Sequence, residues 1–174
     1  MKHLYLLRHA KSDWGSGFAS DHERPLAPRG EQAARSVGRF LTALSGTPDA
    51  IVSSSAVRAR TTAELAKQEG GWSAEIQTTE DFYGAEPGEL LTRVQNGSDS
   101  DDWLLVVGHE PTWSETVGLL VGRANIKMVT AALARVDFAI ESWRDVEFGG
   151  GELAWLMTPK LLVAAEGNAT RESS

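Results

Sequence analysis

The stretch HLYLL, from His3 to Leu7, is a nearly continuous apolar and aromatic run that leads directly into Arg8 and His9. A run without polar alternation is typical of a strand buried on both faces, as in a parallel sheet covered by helices. In such sheets, ligands bind beyond the carboxyl ends of the strands. The stretch therefore predicts a strand that carries an arginine and a histidine to the ligand-binding edge.

Strand and helix signals alternate through most of the remaining chain. Further strand patterns cover residues 49–54, 74–78, 102–110, 131–140 and 152–158. Helix patterns begin at Arg29, cover 56–68, and begin again after Pro87 and at Pro111. We therefore predict a three-layer α/β/α fold with a mostly parallel central sheet, in which the last two strands are the candidates for an antiparallel one. We expect one domain over residues 1–160, with a flexible tail over 161–174.

The composition excludes several classes of function. The 174 residues carry 24 acidic and 17 basic side chains, for a net charge of -7, which argues against a duplex nucleic-acid binder. The absence of cysteine excludes disulfides, thiolate chemistry and cysteine-based zinc sites. No apolar run reaches the length of a membrane span, and the N-terminus does not resemble a signal peptide. We therefore expect a cytoplasmic protein without a membrane or nucleic-acid partner.

Three of the predicted strands end in residues suited to phosphoryl chemistry. The first strand ends in Arg8 and His9, and the fourth ends in Gly108 and His109. The second ends in Ser53 and Ser54 and leads into a helix whose first turn carries Arg58. Arginine matches the oxygens of a phosphoryl group and stays charged. Histidine can attack phosphorus, transfer a proton or donate a hydrogen bond at neutral pH. We expect one histidine to be a nucleophile and the other to stabilise the transferred group.

Four segments of the chain together resemble the histidine phosphatase superfamily. They are LLRHAKS, RPLAPRG, VSSSAVRARTTAEL and VVGHEP, and the resemblance extends from about Lys2 to about Pro159. The small size and the Arg-Pro-Leu segment are similar to the SixA-type phosphohistidine phosphatases. The resemblance implies a phosphoglycerate mutase-like fold and a phosphatase that needs neither metal nor organic cofactor.

The resemblance also implies roles for particular residues. His9 would be the nucleophile that accepts the phosphate, and His109 would stabilise the transferring group. Arg8 and Arg58 would bind the phosphoryl oxygens. Two further residues are expected at the substrate, Arg24 as a direct contact and Ser12 at the rim. Lys11 is expected at the rim beside Ser12, whereas Arg29 is left open between a position near the pocket and a solvated helix start, and the role of Trp14 is left open.

Larger relatives that act on phosphate esters use a carboxylic acid to protonate the leaving group. This sequence has no carboxylate with a clear motif for that role. Four carboxylates are weak candidates for this acid: Glu80, Asp81, Glu86 and Glu110. An alkoxide leaves poorly without a proton donor, whereas a phosphorylated imidazole with a protonated second nitrogen departs as neutral imidazole. The sequence therefore favours phosphohistidine, on a phosphotransfer protein, over a phosphate ester.

Other interpretations stay open at this stage. The same residues could serve a small-molecule phosphatase, a mutase, or a module that binds phosphoproteins without catalysis. The two histidines could also ligate zinc, although the neighbouring arginines would repel a cation and no third ligand is apparent.

Overall fold

The structure, a computed structural model, describes residues 1–15 and 17–164, and it alternates strands with helices. The strands are β1 (Lys2–Arg8), β2 (Ala50–Ser54), β3 (Ile76–Thr79), β4 (Trp103–Gly108), β5 (Leu133–Phe138) and β6 (Glu152–Met157). The helices are α1 (Pro28–Ala43), α2 (Val57–Gly70), α3 (Pro87–Gln95) and α4 (Thr112–Leu120). Short 3-10 helices lie at Asp21–Glu23 and Trp143–Asp145, and residues 159–164 are again helical.

The six strands form one mixed sheet in the order β3-β2-β4-β1-β5-β6. The pairs β3/β2, β2/β4 and β4/β1 are parallel, whereas β5 is antiparallel to both β1 and β6. The predicted α/β fold with a mostly parallel sheet is therefore confirmed, including an antiparallel strand near the C-terminus. Arg8 pairs with Gly108 in the register of β1 and β4. Because these paired residues end their strands, His9 and His109 leave the sheet side by side.

Helices cover both faces of the sheet, as a strand like β1 requires. On one face Tyr5 and Leu7 join a buried cluster with α1 and α2. On the other, Leu4 and Leu6 join a cluster that includes Trp113 of α4 and residues of α3. The central strand is thus held from two sides, which gives the residues at its end a rigid support.

The packed part of the chain extends past the predicted domain end at residue 160. Leu162, in the helical segment 159–164, is buried and belongs to the same cluster as Tyr5. Residues 161–164 of the predicted tail are therefore helical, and the domain end at residue 160 stays a prediction, because residues 165–174 lie outside the described part of the chain. Within residues 1–15 and 17–164, no helix is long and apolar enough to cross a membrane.

Candidate active site

Backbone hydrogen bonds fix His9 at the end of β1. Its amide donates to the carbonyl of Gly108 at 2.9 Å, and the amide of Ala131 donates to the carbonyls of Arg8 and His9, each at 3.1 Å. The next amide, that of Ala10, donates to Thr62 Oγ1 of α2 at 3.0 Å. The loop that carries the proposed nucleophile is thus attached to β4, to the loop before β5 and to α2.

His9 is held as a neutral imidazole with a defined tautomer. Its Nδ1 lies 2.8 Å from the carbonyl oxygen of Ala10, and because a carbonyl can only accept, Nδ1 carries the proton. Burial lowers the pKa of His9 to about 4; the bond to Ala10 opposes this shift, and Arg58, Arg8 and Arg24 add to it. At neutral pH, Nε2 therefore has a free lone pair. This bond is the orienting contact that the sequence could not reveal.

His109 faces His9 across the site, with 5.1 Å between the ring centroids. Burial, followed by His9 and Arg58, lowers the pKa of His109 to about 3, so this ring is also neutral. Its Nε2 lies 2.9 Å from Ser54 Oγ. The Ser54 oxygen accepts the amide of Ala56, and no other acceptor for its proton is found among residues 1–15 and 17–164, so we assign that proton to a bond with Nε2 and the His109 proton to Nδ1.

Arg58 lies in the first turn of α2, where β2 delivers the chain to the same edge of the sheet. The side chain is buried, and Nη1 donates to the carbonyl of Asp21 at 2.7 Å. Its Nη2 lies 3.1 Å from the Asp21 carboxylate. Arg8 is anchored differently, by donation from Nη1 to the carbonyl of Met128 at 2.8 Å. Both guanidinium groups are therefore anchored through their terminal nitrogens, while the Nε–H of each has no partner within the described residues and remains available to a ligand.

Arg24, predicted as a substrate contact, and Ser12, predicted at the rim, are both buried and are hydrogen-bonded to each other. Arg24 also pairs with the Asp21 carboxylate at 2.8 Å. The indole of Trp14, which is 67% exposed, lies over this guanidinium with 3.7 Å between Arg24 Cζ and the ring centroid. Trp14 thus covers Arg24 on the solvent side. The charge of Arg24 is also close enough to His9 to contribute to the lowering of its pKa.

Asp21 and Tyr83 belong to the site, although the sequence analysis did not identify them. Asp21 pairs with both Arg24 and Arg58, and it accepts the hydroxyl of Tyr83 at 2.9 Å. Partial burial raises the pKa of Asp21, but the Tyr83 hydroxyl and the two arginines outweigh it and leave the pKa below its usual range. Tyr83 packs edge-on against His109, with 5.5 Å between centroids. The Asp21 carboxylate thus links Arg24 and Arg58 to Tyr83, the side chain that packs against His109.

The four predicted acid candidates occupy different places. Glu110 binds the amide and hydroxyl of Ser114 at 3.1 and 2.5 Å, within the start of α4. Glu86 caps α3 through a reciprocal bond pair with Glu89. Asp81 accepts the Thr79 hydroxyl at 2.9 Å. Glu80 is exposed and, within the described residues, its carboxylate makes no hydrogen bond or ion pair. Three of the four are therefore engaged elsewhere, and Glu80 alone is unattached in the loop that carries Tyr83.

Buried polar atoms without a partner concentrate in this site. Within residues 1–15 and 17–164 there are four such side-chain atoms, Arg8 Nε, Arg58 Nε, His109 Nδ1 and Thr116 Oγ1. The first three belong to the predicted constellation and are N–H donors, given the His109 tautomer above. Buried donors without a partner cost free energy unless a ligand satisfies them. An anion with several acceptor oxygens, such as a phosphoryl group, supplies what these donors lack.

The site does not have the composition of a metal centre. Over the described ranges, no group of three or more histidine, cysteine, aspartate or glutamate side chains gathers where it could hold a metal ion. The residues that do gather are arginines and neutral histidines, which present N–H donors, and one carboxylate, Asp21, which is already paired with Arg24 and Arg58. This arrangement is suited to an oxyanion.

Comparison with known proteins identifies the class of protein. The family model of the histidine phosphatase superfamily (branch 1) matches residues 4–98, and the chain belongs to that superfamily. The matched range contains His9, Arg24 and Arg58, which confirms the resemblance drawn from the sequence motifs.

The particular relatives extend the match over nearly the whole chain. An uncharacterized protein of Mycobacterium tuberculosis is 38% identical over 164 residues, which cover 88% of this chain and all of that protein. A solved structure described as a candidate phosphohistidine phosphatase SixA from Nakamurella multipartitia is 28% identical, with a TM-score of 0.80 and coverage of 91% of this chain and 96% of that one. The protein histidine phosphatase SixA complexed with tungstate is 21% identical and shares the fold, with a TM-score of 0.80 and coverage of 92% and 99%.

Proposed function

We propose that the protein hydrolyses phosphohistidine on a protein partner, through a phosphohistidine intermediate on His9 and without a metal ion. One observation carries this proposal: a neutral imidazole with a free Nε2 lies at the same edge of the sheet as buried arginine donors that have no partner among the described residues. The first is a nucleophile at neutral pH, and the second is a receptor for phosphoryl oxygens. The SixA-type neighbours are consistent with this substrate class.

In the first step, the lone pair of His9 Nε2 forms a bond to phosphorus. The bond from phosphorus to the substrate imidazole breaks, and its electron pair returns to the departing ring nitrogen. Phosphorylated His9 then carries positive charge, because Nδ1 keeps its proton. The Ala10 carbonyl accepts from that N–H, so the hydrogen bond strengthens as the charge develops.

In the second step, water attacks phosphorus and His9 departs as the neutral imidazole that began the cycle. Arg8 and Arg58 hold the equatorial oxygens in both steps, and His109 donates from Nδ1 to the same group. Buried, preformed donors need no reorganisation at the moment of reaction. The proposed catalysis is therefore mainly the positioning of charge around a transferring phosphoryl group.

The positions of the carboxylates support a nitrogen–phosphorus bond as the substrate. Asp21 is ionised and engaged with two arginines, Glu110 and Glu86 stabilise helix starts, and Asp81 is bound to Thr79. A phosphate ester needs a donor for its alkoxide, a contribution of about 10²–10⁴-fold in rate. A protonated phosphoimidazole departs as a neutral ring and does without that donor.

The proposal is tested by measuring phosphate release from two substrates in parallel. One is a phosphohistidine-bearing phosphocarrier protein, and the other is an alkyl phosphate such as glycerol phosphate, whose alkoxide leaving group needs a proton donor. The unmodified protein should act faster on the phosphohistidine, and His9→Ala should abolish release from both. Glu80→Gln is the matched variant for the ester alternative, since Glu80 is the unattached carboxylate of the Tyr83 loop. Preference for the ester, lost in Glu80→Gln, would contradict the proposed substrate class and identify an acid.

A further inference from the structure

A cleft of about 670 Å³ lies beside the site described above, between α1 and the helical segment 159–164. Arg29 and Ala33 line it from α1, Lys160 and Val163 line it from the other side, and Lys11 and Thr130 close it between them. Arg29 and Ala33 are four residues apart, which puts them on one face of the helix. The cleft thus combines apolar walls with three cationic side chains.

The three cations of this cleft lack counter-ions. Over the described residues, the side chains of Lys11, Arg29 and Lys160 make no hydrogen bond or ion pair, and no carboxylate is among the residues that line the cleft. By contrast, Arg24 and Arg58 both pair with Asp21. In a chain with a net charge of -7, a group of uncompensated cations produces a local positive field that attracts negative partners.

The cleft adjoins the loop that carries the proposed nucleophile. Lys11 is two residues beyond His9 in the chain. Thr130 precedes Ala131, whose amide donates to the carbonyl of His9 at 3.1 Å. The start of α1 is pressed against the same loop: a Cβ added at Gly30 would lie 2.1 Å from the Lys11 carbonyl oxygen. The surface next to the phosphoryl site on this side is therefore the cationic cleft.

We propose that this cleft is a docking site for acidic side chains that neighbour the phosphohistidine on the protein substrate. The inference rests on the proposed function, because only a macromolecular substrate extends beyond the phosphoryl pocket onto the α1 surface. The partner's surface should be acidic, because three cations without counter-ions, from separate segments of the chain, complement an extended acidic surface. Such contacts act mainly on the association rate and lose strength as salt is added.

The test uses the charge-reversed variant Arg29→Glu/Lys160→Glu, with Lys11 retained because of its proximity to His9. The matched control is Arg123→Glu/Arg144→Glu, which reverses two exposed cations away from this cleft. We expect the first variant to lower kcat/KM on a phosphohistidine-bearing phosphocarrier protein by about tenfold or more, and the control to change it by less than about twofold. On free phosphohistidine, which has no protein surface, both variants should match the unmodified protein.

Salt supplies an independent readout. Adding sodium chloride should lower kcat/KM of the unmodified protein on the phosphoprotein, and this dependence should be weaker in Arg29→Glu/Lys160→Glu. Equal effects of the two charge reversals on the phosphoprotein would overturn the docking site alone. The same charge reversal can be made in a chain that ends at residue 164. If Arg29→Glu/Lys160→Glu no longer lowered kcat/KM there, the docking site would also be overturned, because the cleft would then act on residues 165–174 and not on the substrate. Hydrolysis of free phosphohistidine without any turnover of phosphoproteins would instead overturn the proposed protein substrate.

Discussion

At the scale of single residues, a carboxylate, Asp21, lies within the site that we propose to bind an anion. Asp21 forms ion pairs with Arg24 and Arg58, and the Tyr83 hydroxyl donates a hydrogen bond to the Asp21 carboxylate. The carboxylate orients two guanidinium groups and offsets part of their positive charge. A phosphatase must release phosphate after each cycle, so we expect the nearby negative charge to limit how tightly the product is held.

This role predicts opposite effects of Asp21→Asn on turnover and on product binding. The loss of charge-assisted hydrogen bonds to the arginines should lower kcat by about tenfold. Inorganic phosphate should inhibit more strongly, because the negative charge beside its binding site is gone. Steady-state kinetics with phosphate as inhibitor measure both quantities, and Asp81→Asn is the control at an exposed carboxylate. If phosphate inhibition weakened together with kcat, Asp21 would be only a structural residue.

The neutral state of His9 predicts an unusual titration. Burial lowers its pKa to about 4, so the reactive neutral form persists as the pH falls and is lost only when the pH passes through that value. The ring resonances of His9, assigned by their absence in His9→Asn, should therefore titrate in NMR with a midpoint near 4. A midpoint close to the usual value for histidine would contradict the proposed burial of the nucleophile.

At the scale of elements, α2 connects the loop of the proposed nucleophile to Arg58, which we propose to bind the phosphoryl group. Thr62 lies one turn after Arg58, donates to its carbonyl at 2.6 Å, and accepts the amide of Ala10 at 3.0 Å. Helix α2 is positioned by α1, where a Cβ added at Gly38 would lie 2.2 Å from the carbonyl oxygen of Ala66. The two helices therefore approach closely, and their contact fixes the position of α2, which in turn holds the loop of His9 and Ala10.

Replacement of Thr62 by Val should damage both folding and catalysis. The buried amide of Ala10 would lose its acceptor, which costs about 1–3 kcal/mol in the free energy of unfolding. The loop of His9 would lose its attachment to α2, and kcat should fall. Thr62→Ser keeps the hydroxyl and is the matched control, so denaturant unfolding and kinetics should place it near the unmodified protein. A large loss in Thr62→Ser with little loss in Thr62→Val would show that the methyl group, and not the hydrogen bond, is what matters.

Gly38→Ala should destabilise the contact between α1 and α2. The added methyl cannot fit beside the Ala66 carbonyl without moving a helix, and overpacking of this kind costs about 1–3 kcal/mol. Gly88→Ala, in the first turn of α3, meets nothing within 4 Å and is the control. Thermal unfolding should show a lower midpoint for Gly38→Ala alone. A midpoint unchanged from that of the control would mean that the helices are not in this close contact.

At the scale of the whole molecule, the features that repeat along the chain were the ones that could be predicted. The apolar run of β1 and the alternation of strands and helices indicated the sheet, and the sheet explained why His9, Arg58 and His109 meet. Asp21 and Tyr83 could not be found in this way, because Asp21 lies in a short 3-10 helix, Tyr83 lies in a loop, and they are 62 residues apart in the chain. The orienting bond from His9 to the Ala10 carbonyl is made by backbone geometry, which no side-chain pattern records.

The most direct test of the central claim, that His9 is the nucleophile, is the capture of the phosphorylated enzyme. The protein is mixed briefly with a phosphohistidine-bearing phosphocarrier protein that carries radioactive phosphate, quenched in alkali and mapped by digestion. We predict an acid-labile label on His9, absent from His9→Ala and longer-lived in His109→Ala. Rapid phosphate release from the substrate with no label on His9 at any time would contradict the account, because water would then attack the substrate directly.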